Sequence, residues 1–124
     1  SHVFVYGTLM NHRQRWAQLK PWSSGAVQGG SVNGNLYDLG AYPGLRLDEQ
    51  GTVHGELHRC DDLAGALEEL DHIEGHDALH PGEGLYVRTP VLVHTASGSV
   101  WAWTYIINAL PDHARAVPDG RWTS

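Results

Sequence analysis

Two short segments of the chain hold residue types that suit chemistry on an amide or a carboxylate. The first follows an apolar strand, Val3-Phe4-Val5, and reads Tyr6-Gly7-Thr8-Leu9. A glycine directly after a strand allows a tight turn that brings main-chain N–H groups close to a ligand, and the threonine adds a hydroxyl that donates or accepts. We call residues 6–9 the first loop, and its pattern indicates an anion-binding turn.

The second segment holds a single carboxylate, Glu74, at the end of a helix-like pattern. Gly75 follows it, and glycine is the residue that most often ends a helix. A carboxylate at this end faces the negative pole of the helix dipole, so its basicity rises further if it is also partly buried. Glu74 is therefore a candidate general base that works near neutral pH.

The elements that position these segments follow from apolar periodicity. Strands are predicted over 2–6, 26–27, 32–39, 51–59, 85–94 and 100–107, and helices over 11–19 and 62–73. Pro21 is expected to end the first helix, and Asp62 offers an N-cap for the second. Gly29-Gly30 separate two strand segments, and Asn33-Gly34 mark a bulge or a turn.

Loops are predicted over 40–45 and 76–84, and residues 96–99 give the signature of a hairpin between the last two strands. The tail from Asn108 is expected to wrap the surface with Trp122 as an anchor. Because helices and strands do not alternate, we predict an α+β domain with a mixed, strongly curved sheet rather than a doubly wound one. Short strands with many glycines close such a sheet into a small barrel, and one domain spans residues 1–124.

The composition of the chain indicates which kinds of molecule it binds and in which compartment it works. The formal charge is −6, from 8 Lys and Arg against 14 Asp and Glu, which argues against a nucleic acid or an anionic membrane surface and favours small polar ligands. The single cysteine, Cys60, cannot form an internal disulfide, so we expect a reducing compartment, the cytoplasm. No apolar run approaches the roughly 20 residues that span a bilayer, and we expect neither secretion nor membrane insertion.

Six blocks, in this order, resemble the gamma-glutamylcyclotransferase-like family, particularly its gamma-glutamylamine cyclotransferase branch. A strand followed by Tyr-Gly-Thr-Leu is weak evidence alone, but the ordered set covers most of the chain. The blocks are Val3-Phe4-Val5-Tyr6-Gly7-Thr8-Leu9, Gly34-Asn35-Leu36-Tyr37, Tyr42-Pro43-Gly44, Val53-His54-Gly55-Glu56-Leu57, Leu70-Asp71-His72-Ile73-Glu74-Gly75 and Tyr86-Val87-Arg88.

The resemblance implies a small mixed β-barrel with flanking helices and a reaction that needs no cofactor. In such a reaction the α-amino group of a γ-glutamyl substrate attacks its own side-chain amide, closing 5-oxoproline and releasing an amine or amino acid. The family's catalytic glutamate corresponds to Glu74 and its substrate-binding loop to Tyr6, Gly7, Thr8 and Leu9. Tyr86 corresponds to a tyrosine that lines the site in relatives. The partner is then a small γ-glutamyl compound, and a homodimer is left open.

The residue chemistry supports the same roles. A substrate ammonium must lose a proton before its nitrogen attacks, and one carboxylate can accept that proton and return it to the departing amine. The main-chain N–H groups of Gly7, Thr8 and Leu9 suit either a developing oxyanion or the substrate's α-carboxylate, and the sequence does not separate the two uses. Asp71 and Arg88 are expected to pair with each other or with other protein groups rather than with substrate.

Three alternatives stay open. A non-catalytic module on the same fold would bind a small carboxylate or amino acid. A metal-dependent hydrolase would use His72, His76 and Asp77, although Gly75 is expected to break the helix between the two histidines. His54 and His58 share one face of a strand but lie too far apart for one ion. Cys60 as a nucleophile has the least support, because nothing in its surroundings lowers its pKa.

Two departures from the family lie beside the predicted pocket. Relatives often follow the loop with basic residues and a glycine, where this chain has Met10-Asn11-His12-Arg13. The loop over 76–84 is longer than the compact link of the branch it resembles. Both differences bear on the identity of the substrate.

Overall fold

The computed structural model of the chain describes residues 1–77, 79–80 and 82–123. Its elements, in chain order, are β1 (His2–Val5), α1 (Trp16–Leu19), a 3₁₀ helix (Lys20–Trp22), β2 (Ser24–Asp38), β3 (Pro43–Arg59), α2 (Leu63–Glu74), β4 (Tyr86–Thr95), β5 (Gly98–Ile107) and β6 (Arg115–Val117). The described residues between α2 and β4 lie outside helices and strands, as predicted, while Ala78 and Pro81 of that loop lie outside the described residues.

Five strands close into a barrel. Neighbouring strands run in the order β3-β1-β5-β4-β2, and a further pairing of β2 with β3 completes the ring, whereas β6 adds to β2. The β1–β5 pair is parallel and β1–β3 is antiparallel, so the sheet is mixed. The predicted α+β class, with a small mixed barrel and flanking helices, is confirmed.

The two predicted strand segments on either side of Gly29-Gly30 are one continuous strand, β2. The prediction treated these glycines as a break, but Gly30 serves a close approach between strands. A Cβ at Gly30 would lie 2.6 Å from Val93 Cγ1 on β4. The bulge predicted at Asn33-Gly34 is confirmed, because the pairing of β2 with β3 shifts register between these two residues.

The predicted loop over 40–45 is shorter than expected, because β3 already begins at Pro43. Pro43 pairs with Asp38 of β2, and Leu39 N–H donates to the Tyr42 carbonyl at 3.0 Å to close the turn. Proline and glycine at 43 and 44 made this stretch look like a loop. Proline is tolerated as the first residue of a strand, where its missing N–H costs little.

The two helices differ in how well the sequence predicted them. The Asp62 carboxylate caps α2 by accepting from Gly65 N–H at 3.0 Å, and Gly75 ends it in the left-handed conformation at φ 66°. Both ends agree with prediction to within one residue. The helix predicted over 11–19 is only α1, because residues 7–15 are taken up by turns. Its end at Leu19 agrees with the prediction, and a 3₁₀ helix that contains Pro21 follows directly.

The hairpin of β4 and β5 turns at Ala96-Ser97, as its signature predicted. The tail adds the short strand β6, which the sequence did not predict, and Trp122 is buried as the expected anchor. The barrel interior and the inner face of α2 form one apolar core that includes Phe4, Leu57 and Leu70. Among the described residues no helix has both the length and the apolarity needed to cross a membrane.

Candidate active site

A cavity of about 220 Å³ lies where the first loop meets the ends of α2 and β5 and the starts of β3 and β4. It is smaller than the roughly 300–1,000 Å³ of sites that take drug-sized molecules, so it suits a small ligand. All the residues that the sequence put forward for a site line it: Tyr6, Gly7, Thr8, Leu9, Glu74 and Tyr86. The fold therefore brings together two segments that lie far apart in the sequence.

The first loop presents main-chain donors to this cavity. Among the described residues, the N–H groups of Gly7, Thr8 and Leu9 donate to no protein acceptor. The carbonyls of the loop are used instead, since Gly7 accepts from Met10 N–H at 3.1 Å and Thr8 accepts from Arg15 N–H at 2.7 Å. Buried N–H groups without a partner are rare in proteins, and here a ligand anion would supply the acceptor.

Gly7 is required by a close approach rather than by an unusual backbone angle. A Cβ at this position would lie 2.6 Å from Pro43 Cγ and 3.0 Å from Pro43 Cδ, at the start of β3. Its φ is not among the positive values found in the chain. The glycine therefore allows the first loop to pack on the β2–β3 turn, and that packing forms one wall of the cavity.

Glu74 is the last residue of α2 and lines the opposite side of the cavity. Burial raises its pKa from 4.5 to about 7, and the positive charge of Arg15 opposes that rise. The position of Glu74 is set by the way α2 ends. The N–H groups of Gly75 and His76, which follow Glu74, both donate to the Asp71 carbonyl. A carboxyl group with a pKa near 7 can exchange a proton in either direction at neutral pH.

Asp71, one helical turn before Glu74, ties the end of α2 to the barrel. One carboxylate oxygen accepts from Arg88 Nη1 at 2.8 Å, and the other accepts from the Tyr105 hydroxyl at 2.6 Å. The Arg88 guanidinium also lies 5.3 Å from the centre of the Trp103 ring. The expected pairing of Asp71 with Arg88 is confirmed, and Asp71 has no remaining oxygen directed at a ligand.

Three tyrosines of the cavity use their hydroxyls within the protein. Tyr6 donates to the Tyr105 carbonyl at 2.6 Å, Tyr86 donates to the Pro43 carbonyl, and Tyr105 donates to Asp71 as described. Burial raises the pKa of each phenol, so all three stay protonated. Their rings form apolar walls, and the donors left for a ligand include the N–H groups of the first loop and the guanidinium of Arg15.

Arg15 is a cavity residue that the sequence interpretation missed. It lies just before α1, and its side chain is partly buried. In the part of the chain that the structure describes, its guanidinium makes no hydrogen bond or ion pair. The sequence interpretation placed residues 11–19 in a helix and so gave no signal that Arg15 would reach the cavity.

A separate network of polar side chains, outside the cavity, holds the turns that follow the first loop. Glu56 Oε1 on β3 accepts from Asn11 N–H at 2.7 Å and lies 3.1 Å from His58 Nε2. His58 Nδ1 lies 2.8 Å from Ser23 Oγ, and the ring is fully buried beside Trp16. Burial lowers the pKa of His58, so the ring is neutral at pH 7 and bridges Glu56 and Ser23. None of these residues lines the cavity.

The histidines do not assemble a metal centre among the described residues, where no three His, Cys, Asp or Glu side chains lie close enough to share an ion. His76 Nδ1 instead accepts from Arg88 N–H at 3.3 Å, and Asp77 pairs with His80 at 3.1 Å. Cys60 is buried and free, and burial raises the pKa of its thiol. Neither the metal-dependent nor the cysteine-based alternative gains support from this geometry.

Comparison with known proteins agrees with this arrangement. The profile of the family described as "Gamma-glutamyl cyclotransferase, AIG2-like" matches residues 3–124. The Escherichia coli (strain K12) protein named "Gamma-glutamylcyclotransferase family protein YtfP" is 37% identical over 123 residues, which cover 97% of this chain and 94% of that protein.

Solved structures show the same fold. An AIG2-like protein from Mus musculus superposes with a TM-score of 0.71 at 25% identity, over 90% of this chain and 80% of that one. YkqA from Bacillus subtilis gives a TM-score of 0.74 at 26% identity, over 98% of this chain. This chain spans only 39% of YkqA, so the likeness concerns one part of that larger protein.

Proposed function

The chain belongs to the gamma-glutamyl cyclotransferase, AIG2-like family, and from that premise we propose that it releases 5-oxoproline and an amine from a γ-glutamyl compound. The substrate class is a γ-glutamyl amine, peptide or biosynthetic intermediate. Glu74 is the general acid and base, and the first loop with Tyr86 holds the glutamyl group. We place the reaction in the cytoplasm, where a free cysteine such as Cys60 stays reduced.

The reaction balances without an oxidant or a second substrate. Glu74 takes a proton from the substrate's α-ammonium, and the freed nitrogen forms a bond to the γ-carbonyl carbon. The tetrahedral intermediate then expels the amide nitrogen as Glu74 returns the proton to it, which breaks the γ-amide bond. Glu74 next takes the second proton from the cyclised nitrogen, which completes 5-oxoproline, and passes that proton to the released amine. Because attacking and attacked groups belong to one molecule, a cavity that holds the chain folded back supplies much of the rate.

One observation carries the proposal: a carboxyl group with a pKa of about 7 shares a small cavity with three N–H groups that have no acceptor among the described residues. The first group moves a proton at neutral pH, and the second set stabilises negative charge on an oxygen. Acyl transfer needs these two functions together. A solvent-exposed carboxylate at a helix end would have an ordinary pKa and no such partner.

The test is Glu74→Gln, assayed by mass spectrometry for 5-oxoproline release from a panel of γ-glutamyl amines and peptides. Loss of the proton acceptor is expected to lower kcat/KM by about 10²–10⁴-fold while circular dichroism stays unchanged. For the wild-type protein, kcat/KM should rise with pH and level off above pH 7, following ionisation of Glu74. Glu68→Gln, on the exposed face of α2, is the matched control and should keep full activity.

Full activity in Glu74→Gln would overturn the mechanism. Stabilisation of the wild-type protein by 5-oxoproline or γ-glutamyl compounds in thermal shift, with no turnover of any panel member, would identify a binding module instead. Activity lost on addition of a chelator and restored by a metal would favour a hydrolase that uses His72, His76 and Asp77.

A further inference from the structure

Two sets of donors face the cavity, and a γ-glutamyl substrate brings two oxygen groups that need them. The sets are the N–H groups of the first loop and the guanidinium of Arg15. The substrate's α-carboxylate carries its charge throughout the reaction, whereas its γ-carbonyl oxygen becomes negative only in the transition state. Donors that bind the α-carboxylate contribute to substrate affinity, whereas donors that bind the γ-carbonyl oxygen lower the barrier of the reaction. It therefore matters which of the two donor sets binds which oxygen.

Arg15 is held by its main chain while its side chain remains available. Its N–H donates to the Thr8 carbonyl at 2.7 Å, and its carbonyl accepts from Gln18 N–H at 3.0 Å, so the residue is fixed against both the first loop and α1. The partly buried Arg15 makes no side-chain hydrogen bond or ion pair with the described residues. A cation placed this way lacks the counter-ion that partial burial normally requires.

The charge of Arg15 reaches the reacting groups. It opposes the rise in pKa that burial causes at Glu74 and Tyr86, two residues that line the same cavity. A ligand carboxylate beside the guanidinium would neutralise this charge and leave Glu74 more basic. Arginine also matches a carboxylate geometrically, because its planar fork makes two parallel hydrogen bonds to the two oxygens.

The first loop has the opposite character. Its three N–H groups are neutral dipoles fixed by packing on Pro43 and by the turns that follow. Fixed dipoles without net charge give little to a neutral carbonyl but stabilise the oxyanion that develops from it. A full positive charge at the same place would bind any anion in the ground state and would raise affinity rather than rate.

Resting on the proposed function, we infer that Arg15 binds the α-carboxylate of the substrate and that the first loop is thereby left to stabilise the oxyanion. The chain therefore requires substrates with a free α-carboxylate, while the amine leaving group is selected elsewhere. This assignment separates two uses of the loop amides that the sequence leaves together.

The experiment crosses two proteins with two substrates. A γ-glutamyl amide with a free α-carboxylate is compared with the same compound carrying an α-carboxamide, using wild type and Arg15→Gln at pH 9, where Glu74 is ionised in both. Wild type should prefer the carboxylate by roughly 10–100-fold in kcat/KM, mainly through KM. Arg15→Gln should lose this preference and process the carboxamide as wild type does. Arg15→Lys should keep part of the preference, and Arg46→Gln, on the exposed face of β3, should keep all of it.

Equal losses on both substrates in Arg15→Gln, or an unchanged preference, would overturn the inference. A binding measurement, which needs no catalysis, tests the role of Arg15 independently of the proposed function. Thermal shift with 5-oxoproline and with its carboxamide should show stabilisation of wild type by the acid only, and Arg15→Gln should lose it. If no γ-glutamyl compound is turned over, the proposed function fails, and the thermal shift alone supports or refutes the role of Arg15.

Discussion

The two sides of the cavity are built in contrasting ways. On the base side, the end of α2 is held by a carboxylate whose two oxygens are both bonded, to Arg88 and to Tyr105. On the loop side, residues 6–15 are held through carbonyls, turns and packing on Pro43, while three N–H groups and one guanidinium keep no partner among the described residues. A base whose pKa depends on its surroundings must be fixed by satisfied bonds, whereas donors that await a charge must stay unsatisfied until it arrives.

Breaking the brace on the base side should have the largest effect. Asp71→Asn keeps the shape but removes the charge that both Arg88 and Tyr105 use, so we expect a loss of about 1.5–3 kcal/mol in the free energy of unfolding. Because Glu74 is then held less firmly, kcat should fall by about 10–100-fold. Urea denaturation and 5-oxoproline release measure the two effects.

The control for this change is Asp61→Asn, which removes the partner of Arg59 in a pair that is exposed on both sides, at 58% and 72%. It should change the free energy of unfolding by at most about 1 kcal/mol. If Asp71→Asn proved as harmless as Asp61→Asn, the base side would not be braced as described.

On the loop side, Gly7→Ala tests packing without touching a charge. The added methyl group meets Pro43 at 2.6 Å, so the first loop or the β2–β3 turn must shift, at a cost of about 1–3 kcal/mol. If the loop amides stabilise the oxyanion as proposed, their displacement should also lower kcat more than it raises KM. Gly29→Ala is the matched control, because a Cβ there meets nothing within 4 Å. If the two variants were equally stable and equally active, the contact between residue 7 and Pro43 would not be what requires a glycine.

The last effect is expected in the pH dependence of stability. The folded-state pKa of Glu74, about 7, lies above its ordinary 4.5, so the folded protein binds this proton more tightly than the unfolded chain does. Stability should therefore fall as the pH rises from 4.5 to 7, and Glu74→Gln should not share this loss. We expect the variant to be more stable than wild type by about 3 kcal/mol at pH 8 and equal to it near pH 4. A constant difference between the two proteins across this range would contradict the burial of an ionised carboxylate.

The sequence predicted the elements that periodicity and helix ends determine. The span of α2 from its Asp62 cap to Gly75, the β4–β5 hairpin and the meeting of the first loop with Glu74 were all available from local pattern and family resemblance. Glycine and proline misled the prediction at Gly30 and Pro43, because their use there is long-range packing rather than a local turn. A local pattern does not reveal which distant strand a glycine must accommodate.

Arg15 escaped prediction for a related reason. Its position in the cavity depends on turns over 7–15 that follow no simple period, and the sequence suggested a helix there instead. The Glu56–His58–Ser23 network was likewise hidden, since its members lie on different elements and come together only in the closed barrel. Side chains that act across elements need the fold before their roles can be assigned.

The parallel pairing of β1 with β5 has a consequence for the order of events in biosynthesis. Thr104 bonds to the Phe4 carbonyl and Tyr6 to the Tyr105 carbonyl, so hydroxyls and carbonyls about a hundred positions apart must find each other. The amino-terminal strand leaves the ribosome long before its parallel neighbour exists. The barrel therefore closes only after β5 has been synthesised, and a high contact order of this kind makes refolding slow compared with that of helical proteins of similar size.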